Sequence, residues 1–502
     1  MAQNARRESV VSDWWLPGDE PSNGTPGTYS VLSTGNSVVR LHRPLGGQED
    51  FFAAPVHPLV HGMVFGESVT LVDARAGKWQ WGFGSQADIE LRPRLALEGL
   101  LLEKDELRLT EAKVRIQGQD DWIPSPSIKT KRGADGFLEN VTLPRLQERV
   151  AWVAGGCATI RDATEWRASS TEASLSRRTE FHFLFENPTQ LEEFFEKQLR
   201  GLQVFMTMIR GERCGIESLE FTDSTWKING EVPARPHWVT ARLRAPENTT
   251  RKRRGDVLLP YERFDWESQA PAVFDVSAGW AYAIEQWALL LDGRFIWPVA
   301  RFSTAASAVE ALDRILNPPA KEYVPDEQLI ARVKEELQKT GLERKVRKRI
   351  LSDLKRPTEA TLDQRMDRLA NLAQAAINAV IDQPLWARRT ARLRNVASHG
   401  LDSSKEFSRD TRALECGAEI LLHLLECTFL YHLGFTPEQI HSIKSNHPTT
   451  WQRKQIMDEC FSLLPEIPEQ TVSATPPEGG VAESSEGGMP DQVQPSGGAD
   501  PL

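Results

Sequence analysis

The apolar period of this chain changes once, and that change limits what it can fold into. From Gly27 to about residue 245, short runs alternate apolar with polar residues or are rich in β-branched ones. Thr28–Ser33, Ser37–Arg43, Ser68–Ala74, Trp79–Gly84, Ala87–Pro93, Glu106–Ile116 and Val239–Arg244 are such runs, parted by Gly, Pro and Asp. A period of two punctuated by turn residues is the pattern of half-buried strands. One interruption, Pro188–Leu202, has Thr189 ahead of acidic residues and then apolar residues at helical spacing, so it reads as an amphipathic helix of about four turns. Beyond the basic loop Arg251–Arg254 the period becomes helical and stays so. Gly279–Leu291, Ser303–Leu316, Asp326–Leu354, Thr361–Ile381, Trp386–Ser398 and Arg409–Leu433 are the expected helices. The fold class is therefore α+β and multidomain.

The expected organisation is a flexible N-terminus (1–25), a β-rich domain (26–290), an all-α bundle (291–445), and a short helical extension with an acidic tail (446–502). The tail from Pro465 holds seven acidic residues and no basic ones among Pro, Gly and Ser, too little apolar surface to offset ordering entropy, so it is expected to be disordered. The cysteines are five and lack any C-x-x-C pair, which argues against a zinc site or disulfide framework and fits a reducing cytoplasm. No cofactor or metal is expected. The apolar stretch Gly417–Phe435 carries Glu419, His423 and Glu426, so it reads as a core helix rather than a membrane span. His57 and His61 are four apart, but Pro58 lies between them in strand-like surroundings, which disfavours a metal site there.

The net charge of −10 excludes a chain that coats polyanions with its global field. Locally the balance reverses: residues 344–412 carry 16 basic against 8 acidic side chains, as a phosphate-binding surface would. Within this region Arg388, Arg389, Arg392 and Arg394 lie in seven positions, followed by Asn395, His399 and the helix-stopping Gly400. Asn395 and His399, four apart, share a helix face, so Asn395 can orient the imidazole. Arg394 and His399 point about 140° apart on an ideal helix. They converge on one phosphate only if the last turn frays or if a two-fold dimer pools the pairs of two chains. The chemistry suits RNA, whose 2′-OH can attack the adjacent phosphorus without metal. A His moves the protons, and an Arg grips the charged equatorial oxygens. Arg388, Arg389 and Arg392 are the expected RNA contacts. The basic run Arg344–Arg356 reads equally as an RNA track or a solvated face. Glu310, inside an apolar helix, either braces the catalytic His or faces solvent.

Arg394-Asn-Val-Ala-Ser-His399-Gly resembles the hallmark of HEPN domains, placed just before a long last helix, Leu414–Leu433, followed by Gly434. Ala308-Val-Glu-Ala-Leu-Asp-Arg-Ile315 and Leu362-Asp-Gln-Arg-Met-Asp-Arg-Leu369 are similar to the opening and middle helices of the ApeA-like HEPN subgroup. Val60-His-Gly-Met-Val-Phe-Gly-Glu-Ser-Val-Thr-Leu71 is similar to the N-terminal domain paired with that bundle in ApeA proteins, which act in bacterial defence against phage. The run Leu337–Arg356 is longer and more basic than the family pattern. The resemblance implies an endoribonuclease with Arg394 and His399 as catalytic pair, a homodimer through the HEPN bundle, and an N-terminal domain that answers a phage-derived trigger. With the cysteine usage and the interrupted apolar stretch, a cytoplasmic protein without membrane attachment is expected. Two rival readings are a non-catalytic HEPN-like scaffold that binds RNA or dimerises, with the N-terminal domain as ligand reader, and an active site in the N-terminal domain. The second lacks any Gly-rich phosphate loop, G-x-S-x-G or metal spacing.

Overall fold

The computed structural model describes residues 6–467, apart from 33–34, 47–54, 82–86, 103–106, 125–128, 133, 135–137, 143, 145, 169–172, 225–235, 244–256, 292–296, 319–326, 355–359 and 400–409. The Arg251–Arg254 loop, Gly400 and the acidic tail beyond 467 thus lie outside the described residues. Among the described residues the N-terminal half supplies fifteen strands. They are β1 (Arg6–Trp15), β2 (Thr25–Leu32), β3 (Ser37–Leu41), β4 (Val56–Val64), β5 (Glu67–Trp81), β6 (Ala87–Arg92), β7 (Leu95–Glu98), β8 (Arg108–Ile116), β9 (Lys129–Arg132), β10 (Leu138–Thr142), β11 (Arg149–Val153), β12 (Gly156–Ala168), β13 (Ala173–Gln190), β14 (Ile216–Thr222) and β15 (Val239–Arg242).

Thirteen of them form one antiparallel sheet in the order β11-β12-β13-β8-β14-β15-β7-β5-β4-β1-β2-β3-β6, and β9 pairs with β10 alone. Because β6 also pairs with β5, the strands β5-β4-β1-β2-β3-β6 close on themselves as a barrel. The long strand β5 makes this possible. Its Val69–Val72 segment pairs with β7, whereas Arg75–Ala76 and Trp79–Trp81 pair with β6, with a register shift between Ala76 and Trp79. The change of partner from β7 to β6 along one strand closes the barrel and covers the edge of β6, and the bulge lies within that closing pairing.

The expectation of a loose N-terminus fails from Arg6 onward. Strand β1 pairs with β2 on one side and β4 on the other. Along it Ser12 and Trp14 are buried while Val11 and Asp13 are exposed, the period of two of a barrel strand. Trp14 fills the barrel, and a Cβ at Gly62 would stand 2.4 Å from its ring, so Gly62 leaves the space the indole occupies. Around Trp14 pack Tyr29, Val39, Leu41, Val60, Leu71 and Leu91.

The expected amphipathic helix is present but starts later, because β13 runs on to Gln190. A turn at Leu191–Phe194 and a π-helical turn at Phe195–Leu199 lead into α1 (Arg200–Arg210). The helical half begins at Trp266, well ahead of the expected boundary near 290, with α2 (Trp266–Leu291). It continues as α3 (Pro298–Leu316), α4 (Glu327–Lys339), α5 (Arg344–Leu354), α6 (Leu362–Asn371), α7 (Gln374–Asn378), α8 (Trp386–His399), α9 (Thr411–His432), α10 (Pro437–Ser445) and α11 (Pro448–Cys460). The single helix expected over Asp326–Leu354 is broken at Gly341, whose φ of 65° only glycine adopts without strain. The helix expected over Thr361–Ile381 opens on a capping box of Thr361 and Gln364 and divides at Ala373.

Helix α2 packs against both the sheet and the bundle. Trp266 donates its Nε1–H to the carbonyl of Ala158 in β12 at 2.9 Å, and Phe274 meets Phe183 of β13 edge-on. Further along, Trp287 packs on Phe429 of α9. One apolar core therefore runs from the open part of the sheet into the bundle.

At the centre of the bundle α9 buries most of its length. The three polar residues that spoke against a membrane span are each engaged. Glu419 accepts from Arg301 (2.5 Å) and Arg453 (2.8 Å). Glu426 accepts from Lys444 (2.5 Å) and twice from Arg453 (2.5 and 2.9 Å). His423 makes a 3.0 Å contact through Nε2 with the Ala376 carbonyl, in which the ring nitrogen must donate. Burial alone would raise the Glu426 carboxyl, but Arg453 and Lys444 outweigh it and hold it well below the usual carboxylate range. Burial, reinforced by Lys444 and Arg453, lowers His423 to about 3. Among the described residues no helix is long and apolar enough to cross a membrane.

Candidate ribonuclease site

Helix α8 buries Trp386, Ala387, Thr390, Leu393 and Val396, an i, i+3, i+4 stripe that faces α3, α6 and α9. Close approach to α9 is allowed by Gly417. A Cβ there would lie 2.6 Å from the Phe302 ring and 3.0 Å from Leu393 Cδ2. The opposite stripe carries Arg388, Arg392 and Asn395, all exposed. Helical periodicity puts position 399 next on this stripe. His399 is the last residue of α8, and its side chain lies outside the described residues.

Arg394 lies off this stripe, half-buried, on the flank that faces α3. There its Nη2 is 3.4 Å from Oε1 of Glu310. Glu310 thus meets the Arg of the motif and is not wholly solvated. The pairing fixes where the guanidinium sits and still leaves N–H groups for an anion, since an Arg offers five donors. Arg388 is more loosely held, its Nε 4.0 Å from Asp363 Oδ2.

Arg389 is engaged elsewhere. Its guanidinium donates to the carbonyls of Ser462, Leu464 and Pro465 and stacks 4.5 Å from the centroid of Phe461. It therefore ties α8 to the turn that follows α11, which sequence spacing could not reveal because its partners lie more than seventy residues away. His61, the other histidine singled out, is buried on β4 with Nε2 2.8 Å from the Leu102 carbonyl.

Two further features hold α3, and with it Glu310, in place. The first is Asp313, fully buried, whose Oδ2 receives Arg365 Nη1 at 3.1 Å and also Arg368 of α6, while its Oδ1 receives Asn317 at 2.9 Å. The second is Arg301, which joins α3 to Glu419 of α9. Sequence reasoning overlooked Asp313. Its signal was an acidic residue on the apolar stripe of α3, between Val309, Leu312 and the helix end.

A closed β-barrel within a larger sheet, followed by a bundle with an Arg-x4-His motif on its penultimate long helix, defines a two-part protein with a HEPN-type bundle. Comparison with family models agrees. Residues 9–268 match ApeA N-terminal domain 1, and residues 303–439 match the Apea-like HEPN domain. The chain belongs to the ApeA family. No curated protein and no solved structure gives a significant match.

Proposed function

We propose that this protein is a metal-independent endoribonuclease that acts as the toxic effector of an anti-phage defence. The observation that carries this reading is the Arg394–His399 motif standing on α8 within the region matched by the Apea-like HEPN domain. HEPN domains are in general ribonucleases. His399 serves proton transfer, in which the 2′-OH loses its proton as it bonds to phosphorus and the 5′-oxygen gains one as its bond to phosphorus breaks, and Arg394 stabilises the phosphorane charge. Asn395 orients the imidazole, while the exposed Arg388 and Arg392 hold the RNA backbone. Arg389 supports the site from behind by fixing the far side of α8. A homodimer through the bundle brings the motifs of two chains to one cleft. The N-terminal domain restrains the nuclease until a phage-derived component relieves it.

The test is direct. Expression of the wild type, but not of His399→Ala, should arrest bacterial growth and fragment cellular RNA. Purified protein should cut RNA in excess EDTA and leave a 2′,3′-cyclic phosphate, and should spare DNA and RNA bearing 2′-O-methyl groups. Cleavage of DNA, or activity lost to EDTA and restored by magnesium, overturns the mechanism.

A second reading, a non-catalytic RNA-binding or dimerising scaffold, draws support from the Arg394–Glu310 pair, since an ion pair between helices is also what a purely structural arginine makes. Equal RNA integrity with wild type and His399→Ala would select it.

A further inference from the structure

The basic run that exceeds the family pattern forms a helical hairpin of α4 and α5. Its apolar seam is small and made by the hairpin itself. Ile330, Val333, Leu337, Arg347, Ile350 and Leu351 are half-buried, and none of its described residues from 328 to 352 is fully buried. Between the helices lies an open groove of about 590 Å³. Leu337 and Leu351 line it together with Lys334, Arg344, Arg347 and Lys348. Residues 344, 347, 348 and 351 follow i, i+3, i+4, i+7, so one face of α5 carries three cations and a leucine into the groove. Lys345 and Arg349 stand on other faces.

The charges in this hairpin are unequally treated. In α4 Lys339 pairs with Glu335 and Glu336. In α5 the five cations Arg344, Lys345, Arg347, Lys348 and Arg349 fall in six positions and have no acidic partner among the described residues. Like charges so close repel one another and disfavour the helix by a few tenths of a kcal/mol per pair at spacing i, i+4. A stretch that serves only solubility gains nothing from concentrating one sign on the groove side. A polyanion laid in the groove would neutralise the run.

We propose that the α4–α5 groove is a second RNA-contacting surface that takes single-stranded RNA. Phosphates pair with Lys334, Arg344, Arg347 and Lys348, and unstacked bases lie against Leu337, Leu351 and the faces of the guanidinium groups. A paired helix hides its base faces and could not use the leucine floor, so single strands are preferred. This rests on the nuclease reading above and adds to it where substrate is held away from the motif on α8.

The probe is a fluorescent single-stranded 2′-O-methyl RNA, which cannot be cut by 2′-OH attack, titrated with the full-length protein at several salt concentrations. Each phosphate contact on a single strand contributes about 0.7 to the slope of log K against log salt. The triple variant Arg344→Gln/Arg347→Gln/Lys348→Gln should lower that slope by about 2 and weaken binding at 0.1 M salt by about 10²-fold. The double variant Lys345→Gln/Arg349→Gln should cost distinctly less per charge removed. Both should keep the wild-type far-UV signal and melting temperature, since the residues are exposed or half-exposed. If wild type binds and cleaves RNA while the triple variant keeps its affinity and slope, the groove proposal is wrong and the nuclease reading stands. If the double variant loses as much per charge as the triple, or duplex RNA binds as well as single strands, the groove seat is refuted. If wild type binds no RNA, the proposal falls together with the reading it rests on.

Discussion

Removing the carboxylate of Asp313 should damage the bundle more than any surface change near the motif. Asp313 is fully buried on α3 and neutralises Arg365, itself only 5% exposed, while also receiving Arg368 and Asn317. Replacement by Ala removes the carboxylate that receives the buried Arg365 guanidinium and opens a small void. Loss of one partner of a buried ion pair costs about 3–5 kcal/mol. Removing both charges is different, because the desolvation penalty disappears with them. Asp313→Leu/Arg365→Met should therefore cost clearly less than Asp313→Ala alone, despite changing two residues. Denaturant unfolding of the full chain, followed by far-UV circular dichroism of the helices, gives both numbers, and the single-variant corners of the cycle give the coupling. The site provides a second readout. Asp313 lies one helical turn from Glu310, so a shift of α3 against α6 moves the carboxylate that holds Arg394. RNA cleavage by Asp313→Ala should fall even at temperatures where the chain stays folded. A cost below about 1 kcal/mol for Asp313→Ala, or a double variant less stable than the single one, would refute the argument that this pair locks α3 to α6.

Three other outcomes are expected. His423 is held neutral by burial at a pKa of about 3, below the unfolded value of 6.5, so its contribution is complete above pH 6.5 and is lost as pH falls toward 3. At about 1.4 kcal/mol per unit, the wild type should lose roughly 2 kcal/mol between pH 7 and pH 5, and His423→Gln, which keeps a donor for Ala376, should lose less over the same interval in thermal melts. Arg394→Ala and His399→Ala should each lower the RNA cleavage rate by about 10²-fold or more, with Arg394→Lys recovering only part because it lacks the planar fork, and with Asn395→Ala milder. Subunits carrying Arg394→Ala mixed with subunits carrying His399→Ala should regain some activity if two chains complete one cleft. Arg389→Ala should destabilise the chain by about 1–3 kcal/mol, since it removes charged hydrogen bonds to three carbonyls and a ring contact. Its effect on RNA affinity should be smaller than that of Arg388→Ala or Arg392→Ala, as fluorescence anisotropy would show.

Strand and helix classes were legible because burial imposes a period, and the period survives in the residues. Barrel closure was not, because it depends on β5 changing partner from β7 to β6 along its length, a long-range pairing that local pattern does not encode. The strand Arg6–Trp15 was read as loose because its charged start hides the alternation of Ser12 and Trp14 with Val11 and Asp13. At the site, the shared helix face of Asn395 and position 399 followed from spacing, and of the three arginines expected to contact RNA, Arg388 and Arg392 are exposed. The partner of Arg394 was not legible, since Glu310 was singled out only as a residue that braces the His or faces solvent. The diversion of Arg389 to Ser462–Pro465 could not be foreseen, because backbone carbonyls leave no mark in a sequence.

Helix α2 has a consequence for how such proteins can be recombined. It spans Trp266–Leu291, whereas the two family matches end at 268 and resume at 303, so most of the helix belongs to neither. Yet its first turns face aromatic rings of the sheet and its later turns face α3 and α9. A chimera joined near residue 290 would carry a helix fitted to the wrong bundle, and one joined before Trp266 would carry a helix fitted to the wrong sheet. Exchange of N-terminal domains between relatives is thus constrained by a single two-sided spacer. New N-terminal domains can be grafted onto this bundle only when the faces of that spacer change with them.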